Sequence, residues 1–152
     1  RSMKIIDTLE DVEFSVFSQF GDDGIIQWLI QNLEISNKTF IEFGVEDFSE
    51  SNTRFLMMNN NWSGFVMDGS TENMTNLRNQ YYYWKHSINS KAIFIDKNNI
   101  NNLIKSQMFH EDLGLLHIDL DGNDYWILNS IMTISVDIPR RINNAMIPLI
   151  LS

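Results

Sequence analysis

Cysteine is absent, which removes disulfides, thiolate metal ligands and thiol nucleophiles together. Proline and alanine are scarce, with two of each against 18 asparagines and 20 isoleucines, the bias an AT-rich genome imposes. Isolated asparagines therefore carry little functional weight. Basic charge is also in deficit: 11 Lys and Arg stand against 20 Asp and Glu, giving a net charge of −9 and a pI near 4.6. A chain this acidic lacks the basic surface that would release counterions from a phosphate backbone, so nucleic acid is not expected as the main partner. Long apolar runs are missing too. No window approaches about eighteen consecutive apolar residues, and Arg1 to Glu10 hold no signal-peptide core. Neither a membrane span nor export is expected, and the cytoplasm is the default.

What is present suits a folded domain. Hydrophobic residues make up 43% and charged residues 20% of 152, enough for one core and too little chain for two. Strand-length apolar runs recur at Thr39 to Gly44 (TFIEFG), Gly64 to Asp68 (GFVMD), Lys91 to Asp96 (KAIFID) and Leu113 to Asp119 (LGLLHID). Helical spacing fills the intervals, and Gly24 to Leu33 forms an apolar helix face behind the cap candidates Asp22 and Asp23.

The acids at or near the strand ends are Glu42, Asp68, Asp96 and Asp119, at steps of 26, 28 and 23 residues. Each step fits one strand-plus-helix unit, which predicts an α/β fold: a Rossmann-like, doubly wound, mainly parallel sheet in a single domain spanning residues 1–152. Such sheets bind ligands at the carboxyl ends of their strands, beside the point where strand order reverses. An acid after a strand also serves simply to cap the next helix. Ser70 and Asn98 supply alternative caps at two junctions, leaving Asp68 and Asp96 freer to face a ligand.

At the first junction Gly44 permits a tight turn, but the second and third glycines of a dinucleotide fingerprint are missing, and Glu46 and Asp47 stand where a pyrophosphate would need bare amides. A ligand with adenosine and a positive centre but no phosphates tolerates these carboxylates. Asp68, at the end of the second strand, is placed to accept hydrogen bonds from ribose hydroxyls.

In four segments the chain resembles the class I S-adenosylmethionine-dependent methyltransferases, and more narrowly the FkbM-like and sugar O-methyltransferase-like proteins. These are Ser18 to Ile26 (SQFGDDGII); Glu42-Phe43-Gly44 with Ser51-Asn52-Thr53 behind it; Trp62 to Asp68 (WSGFVMD); and Leu115 to Trp126 (LLHIDLDGNDYW). The likeness spans roughly residues 15 to 133. It implies methyl transfer from S-adenosylmethionine to a small hydroxylated acceptor, such as a sugar or nucleotide-sugar of a polysaccharide or natural-product pathway. It also implies that Glu42 and Gly44 lie against the methionine part of the cofactor, Asp68 holds the ribose, Asp96 sits near the adenine edge and Asp119 faces the methyl group. Gln19, in the first segment, joins the cofactor-binding set. Asp47 departs from the pattern, since such enzymes usually carry another glycine there; its side chain would narrow the methionine pocket or force a different turn.

Transfer to a hydroxyl needs a proton acceptor, and Asp119, Asp121 and His117 are the candidates, Asp119 first. His117 alternates with Asp119 and shares its face, but a histidine inside a buried strand is more often packed core. Tyr125 and Trp126 read either as an acceptor wall or as core, and Tyr81 to Trp84 as a cover for the sheet. The run Asp119 to Asp124 (DLDGND) fails as a calcium loop, because Gly122 falls at loop position four and Ser130 stands where position twelve needs Glu. As a phosphatase D-x-D motif it lies too late in the chain. Asp119 and Asp121 remain weak candidates to hold a magnesium ion that orients the acceptor.

Methyltransferases of this class usually continue for three more strands, whereas Arg140 to Ser152 offers one, Met146 to Leu151. A C-terminally shortened sheet, possible truncation and a possible homodimer over the exposed edge follow as expectations. The alternative function is a non-catalytic Rossmann-like nucleoside-binding or interaction module.

Overall fold

The computed structural model describes residues 6–107, 113–120, 122–134 and 150–151. Five parallel strands lie in the order β3-β2-β1-β4-β5: β1 Thr39–Phe43, β2 Ser63–Asp68, β3 Ile88–Ala92, β4 Leu115–Ile118 and β5 Ile150–Leu151. Among the described residues they are accompanied by five α-helices: α1 Asp22–Asn32, α2 Arg54–Asn60, α3 Thr71–Arg78, α4 Ile100–Ser106 and α5 Asp124–Ile134. The architecture is α/β and Rossmann-like. Of the strand expected at Met146 to Leu151, Ile150–Leu151 pairs with β4 and the remainder lies outside the described residues.

The period of two sends alternate residues of each central strand to opposite faces, and both faces are covered. Phe40, Val66 and Leu115 pack with Ile26, Leu56, Met57, Met74 and Leu77 of α1, α2 and α3. Ile41, Phe43, Phe65, Met67, Leu116 and Ile118 pack with Ile100, Leu103, Ile127 and Ile131 of α4 and α5. Burial on both sides is why β1, β2 and β4 read as mainly apolar runs, broken only by Glu42 and His117 within β1 and β4.

Element boundaries differ from expectation, most tellingly at β3 and α1. β3 begins three residues before the expected Lys91 and ends at Ala92, because β2 gives out first: Asp68 pairs with Ala92 and its carbonyl takes the Ile93 amide at 2.8 Å before the chain turns at Gly69. The apolar Ile93-Phe94-Ile95 run thus leaves the sheet. At α1, Asp22 and Asp23 occupy the first turn, and the cap position belongs to Gly21 at φ 89°. Asp23 turns backward instead, one carboxylate oxygen receiving the amides of Val16, Phe17 and Ser18 at 2.7, 2.7 and 3.0 Å. The sheet cover expected of Tyr81 to Trp84 is supplied by Tyr82, which is buried, while Tyr81 and Trp84 project into solvent.

Candidate functional site at the strand reversal

The chain runs β1, β2, β3 toward one edge, then returns to the other side of β1 as β4. The reversal therefore lies between β1 and β4, where connections leave on opposite faces and open a crevice at the carboxyl ends. A cleft of about 620 Å³ sits there, lined by Gly44, Asp68, Ser70, Asn73, Phe94 and Asp119 among others.

Gly44 forms its floor and admits no substitute. Its φ is +75°, and a Cβ there would stand 1.7 Å from the Asp119 carbonyl oxygen. The strand ends are further tied by Asp119 N to Phe43 O at 3.2 Å and Gly44 N to Met67 O at 2.9 Å. Asp119 consequently enters the cleft from a fixed backbone. Asp68 enters from the other side, its carboxylate held by the Glu46 amide at 3.0 Å, the Ser70 amide at 2.8 Å and Asn73 Nδ2 at 3.3 Å. A carboxylate offers about four acceptor positions, so three internal donors leave it room for one more. Ser70 is also the cap expected for α3, its hydroxyl accepting the Asn73 amide at 3.2 Å.

Beneath this floor lies a polar cluster. Glu42 and His117 are register partners on adjacent strands, 3% and 1% exposed, with Glu42 Oε1 3.2 Å from His117 Nδ1. The ring nitrogen approaches closely without the alignment of a hydrogen bond. Ser51 Oγ and Thr53 Oγ1 donate to Glu42 Oε2 at 2.7 and 2.5 Å, and the Asn52 amide to Oε1 at 3.1 Å. Asn52 Nδ2 lies 2.8 Å from His117 Nε2. Burial alone would push Glu42 up, but His117, Thr53 and Ser51 outweigh it and hold the carboxyl below its ordinary value. Burial likewise opposes a charged His117, yet Glu42, with smaller contributions from Asp119 and Asp22, holds the ring above its ordinary value. Each group is thus held toward its charged form, and neither side chain lines the cleft.

Asp68, Asp119 and Gly44 are brought together in the cleft, with Glu42 and His117 packed below. Asp96 is not brought there: it is exposed, and its Oδ1 accepts the Asn98 and Asn99 amides at 2.7 and 2.9 Å, closing the turn before α4. The alternative cap Asn98 does not replace it. Gln19 is exposed on a separate cavity of about 490 Å³, beside Ser15, Ser18, Ser49 and Glu50. Asp47 turns to Ser49, accepting from its amide at 2.9 Å and its hydroxyl at 2.5 Å, and does not narrow the cleft. Tyr125 and Trp126 are not core: they stand 63% and 66% exposed at the start of α5, edge to face at 5.3 Å. Asp121 lies outside the described residues, and among the described residues no group of three or more His, Asp or Glu side chains could hold a metal ion.

Sequence reading passed over the roles of Ser51, Asn52 and Thr53. Their only local signal is three polar side chains in a row before a helix, nine to eleven residues after a buried glutamate. No protein-family model matches the chain, and neither a curated protein nor a solved structure matches it.

Proposed function

We propose that the cleft binds S-adenosylmethionine and that the chain transfers its methyl group to a small hydroxylated acceptor, a sugar or nucleotide-sugar being the leading class. The observation that carries this reading is that Asp68 and Asp119 line one cleft on either side of Gly44, whose bare backbone leaves space for a ligand. The remaining acceptor position of Asp68 suits a ribose hydroxyl. The described lining contains Glu46, Asp68 and Asp119 and no Lys or Arg, which suits a cationic ligand better than a diphosphate. When bound, the cofactor supplies an electrophilic methyl on a positive sulfur. Asp119 holds the acceptor hydroxyl and takes its proton as the new carbon–oxygen bond forms and the carbon–sulfur bond breaks. His117 is a poor candidate for that base, since it is buried and already engaged by Glu42 and Asn52.

Calorimetric titration with S-adenosylmethionine and S-adenosylhomocysteine tests the reading. Heat from both is expected. A folded chain that gives heat with neither turns the reading to its alternative, a nucleoside-binding or interaction module without catalysis.

A further inference from the structure

Between Asn73 and Ile95 this chain of net charge −9 carries no Asp or Glu, while Arg78, Lys85 and Lys91 fall in the same stretch together with His86. The fold gathers it into one place. Residues 79–87 form the turn between α3 and edge strand β3, and Arg78, Lys85 and Lys91 are all exposed. Two aromatic rings stand out from this turn, Tyr81 at 59% and Trp84 at 76% exposure, and Lys85 Nζ lies 5.1 and 5.3 Å from their centroids.

The turn is anchored from below. Tyr82 is buried and meets Tyr81 edge to face at 5.5 Å. Arg78 donates to the Ser90 hydroxyl and carbonyl at 3.0 and 2.8 Å, and Tyr83 OH lies 3.1 Å from the same hydroxyl. The exposed rings are therefore held out without the loop ordering that binding would otherwise cost.

A tyrosine and a tryptophan around a lysine ammonium suit the headgroup level of a bilayer, where amphipathic rings settle and basic side chains meet anionic lipid. Shape points the same way. The turn lines neither the main cleft nor the smaller cavity, and a discrete small ligand needs a concavity where a leaflet accepts a projecting turn. The acidic cleft does not cancel the patch. It lies at the carboxyl ends of the strands and the turn precedes β3, so the five residues of that strand separate them by roughly 16 Å, about twice the screening length at physiological salt.

We propose that the Tyr81–Trp84–Lys85 turn is a docking surface for a membrane leaflet containing anionic lipid. It requires no spanning helix, and none of the described helices is long and apolar enough to cross a membrane. The inference stands apart from the methyl-transfer reading.

Co-sedimentation of the full chain with vesicles tests it, comparing phosphatidylcholine alone with phosphatidylcholine mixed with phosphatidylglycerol. Binding is expected only to the mixed vesicles and is lost at high salt. Lys85→Glu should weaken it about 25-fold, from two charge steps of about fivefold each. Trp84→Ala should weaken it as well, while Lys97→Glu, an equal charge change at an exposed site beyond the opposite end of β3, should leave it within about twofold of the parent. Unchanged thermal melting of the variants confirms that each is folded. No binding to the mixed vesicles overturns the proposal, as does binding that Lys85→Glu and Trp84→Ala spare or that Lys97→Glu weakens equally. Retention of single-stranded RNA by the same residues without vesicle binding also overturns it.

Discussion

Glu42 and His117 face each other across the strand reversal, 3.2 Å apart and buried, so a titratable pair rather than apolar contact underlies the floor of the cleft. Ionised Glu42 is stabilised by His117, Thr53 and Ser51 against the burial that opposes it, and its folded pKa lies below the ordinary 4.5. Its contribution to stability is present above that value and is lost as pH falls through the lowered one. His117 behaves oppositely. Burial opposes its charge but Glu42 prevails, so its contribution is complete below the ordinary 6.5 and fades as pH rises through the raised folded value. Both contributions are in force between about pH 4.5 and 6.5. His117→Gln should cost about 3–5 kcal/mol within that window and flatten the alkaline limb of the melting-temperature profile. Parallel profiles for variant and parent would show that the pair is not charged as described.

Gly44 and Gly122 both have positive φ, at +75° and +89°, but their surroundings separate the effects of a methyl group. At Gly122 nothing lies within 4 Å, so alanine meets only the backbone penalty of about 1–2 kcal/mol. At Gly44 the new Cβ would fall 1.7 Å from the Asp119 carbonyl oxygen, and backbone must move. Gly44→Ala should therefore cost about 2–5 kcal/mol by urea unfolding, the sum of strain and overpacking. Equal losses at both sites would mean that the strand ends are not packed as tightly as this distance requires.

The central strands were legible because burial on both faces leaves them mainly apolar: Phe40, Ile41 and Phe43, Phe65 to Met67, and Leu115, Leu116 and Ile118 are interrupted only by Glu42 and His117. The edge strand β3 was not. Asn89, Ser90 and Lys91 look like loop, and the more apolar Ile93, Phe94 and Ile95 drew the expected strand past the end of its partner. At the site, spacing placed Asp68 and Asp119 correctly at strand ends, since that depends only on element length. It could not say which carboxylates the chain itself would consume. Asp96 closes a local turn through two amides, a competition decided within three residues and invisible to a count of steps. The Asn52 contact to His117 spans 65 positions and exists only once β4 has been inserted beside β1.

Asp68 and Asp119 should separate in function if methyl transfer is the chain's activity. Asp68→Asn keeps an acceptor for the internal amides but removes the charge offered to a ribose, and should weaken S-adenosylmethionine binding about 10- to 100-fold. Asp119→Asn should leave binding within about threefold and lower turnover about 10²- to 10⁴-fold, the range of a lost general base. Calorimetry paired with a turnover assay reads the two effects independently. Exchanged phenotypes would mean that the roles are reversed.

Asp23 holds the segment before α1 by an arrangement that makes its own demand. Three consecutive amides, those of Val16, Phe17 and Ser18, converge on one of its oxygens, and the Ser18 hydroxyl returns a contact by accepting the Asp23 amide at 3.0 Å. These residues belong to no helix or strand, so the carboxylate takes the place of the ladder that regular structure would supply. The Ser51 amide docks on the Phe17 carbonyl at 3.1 Å, so loosening the segment also frees the approach to the Glu42 cluster. Asp23→Ala should cost about 2–4 kcal/mol, since charge-assisted hydrogen bonds are lost and three amides, that of Ser18 buried, are left without this acceptor. Asp23→Asn should cost less, because one amide oxygen can still accept. Hydrogen exchange locates the effect: the amides of residues 16–18 should exchange far faster in Asp23→Ala, while those of Ile41 and Leu116 stay protected. Unchanged exchange at residues 16–18 would show that this carboxylate does not hold the segment.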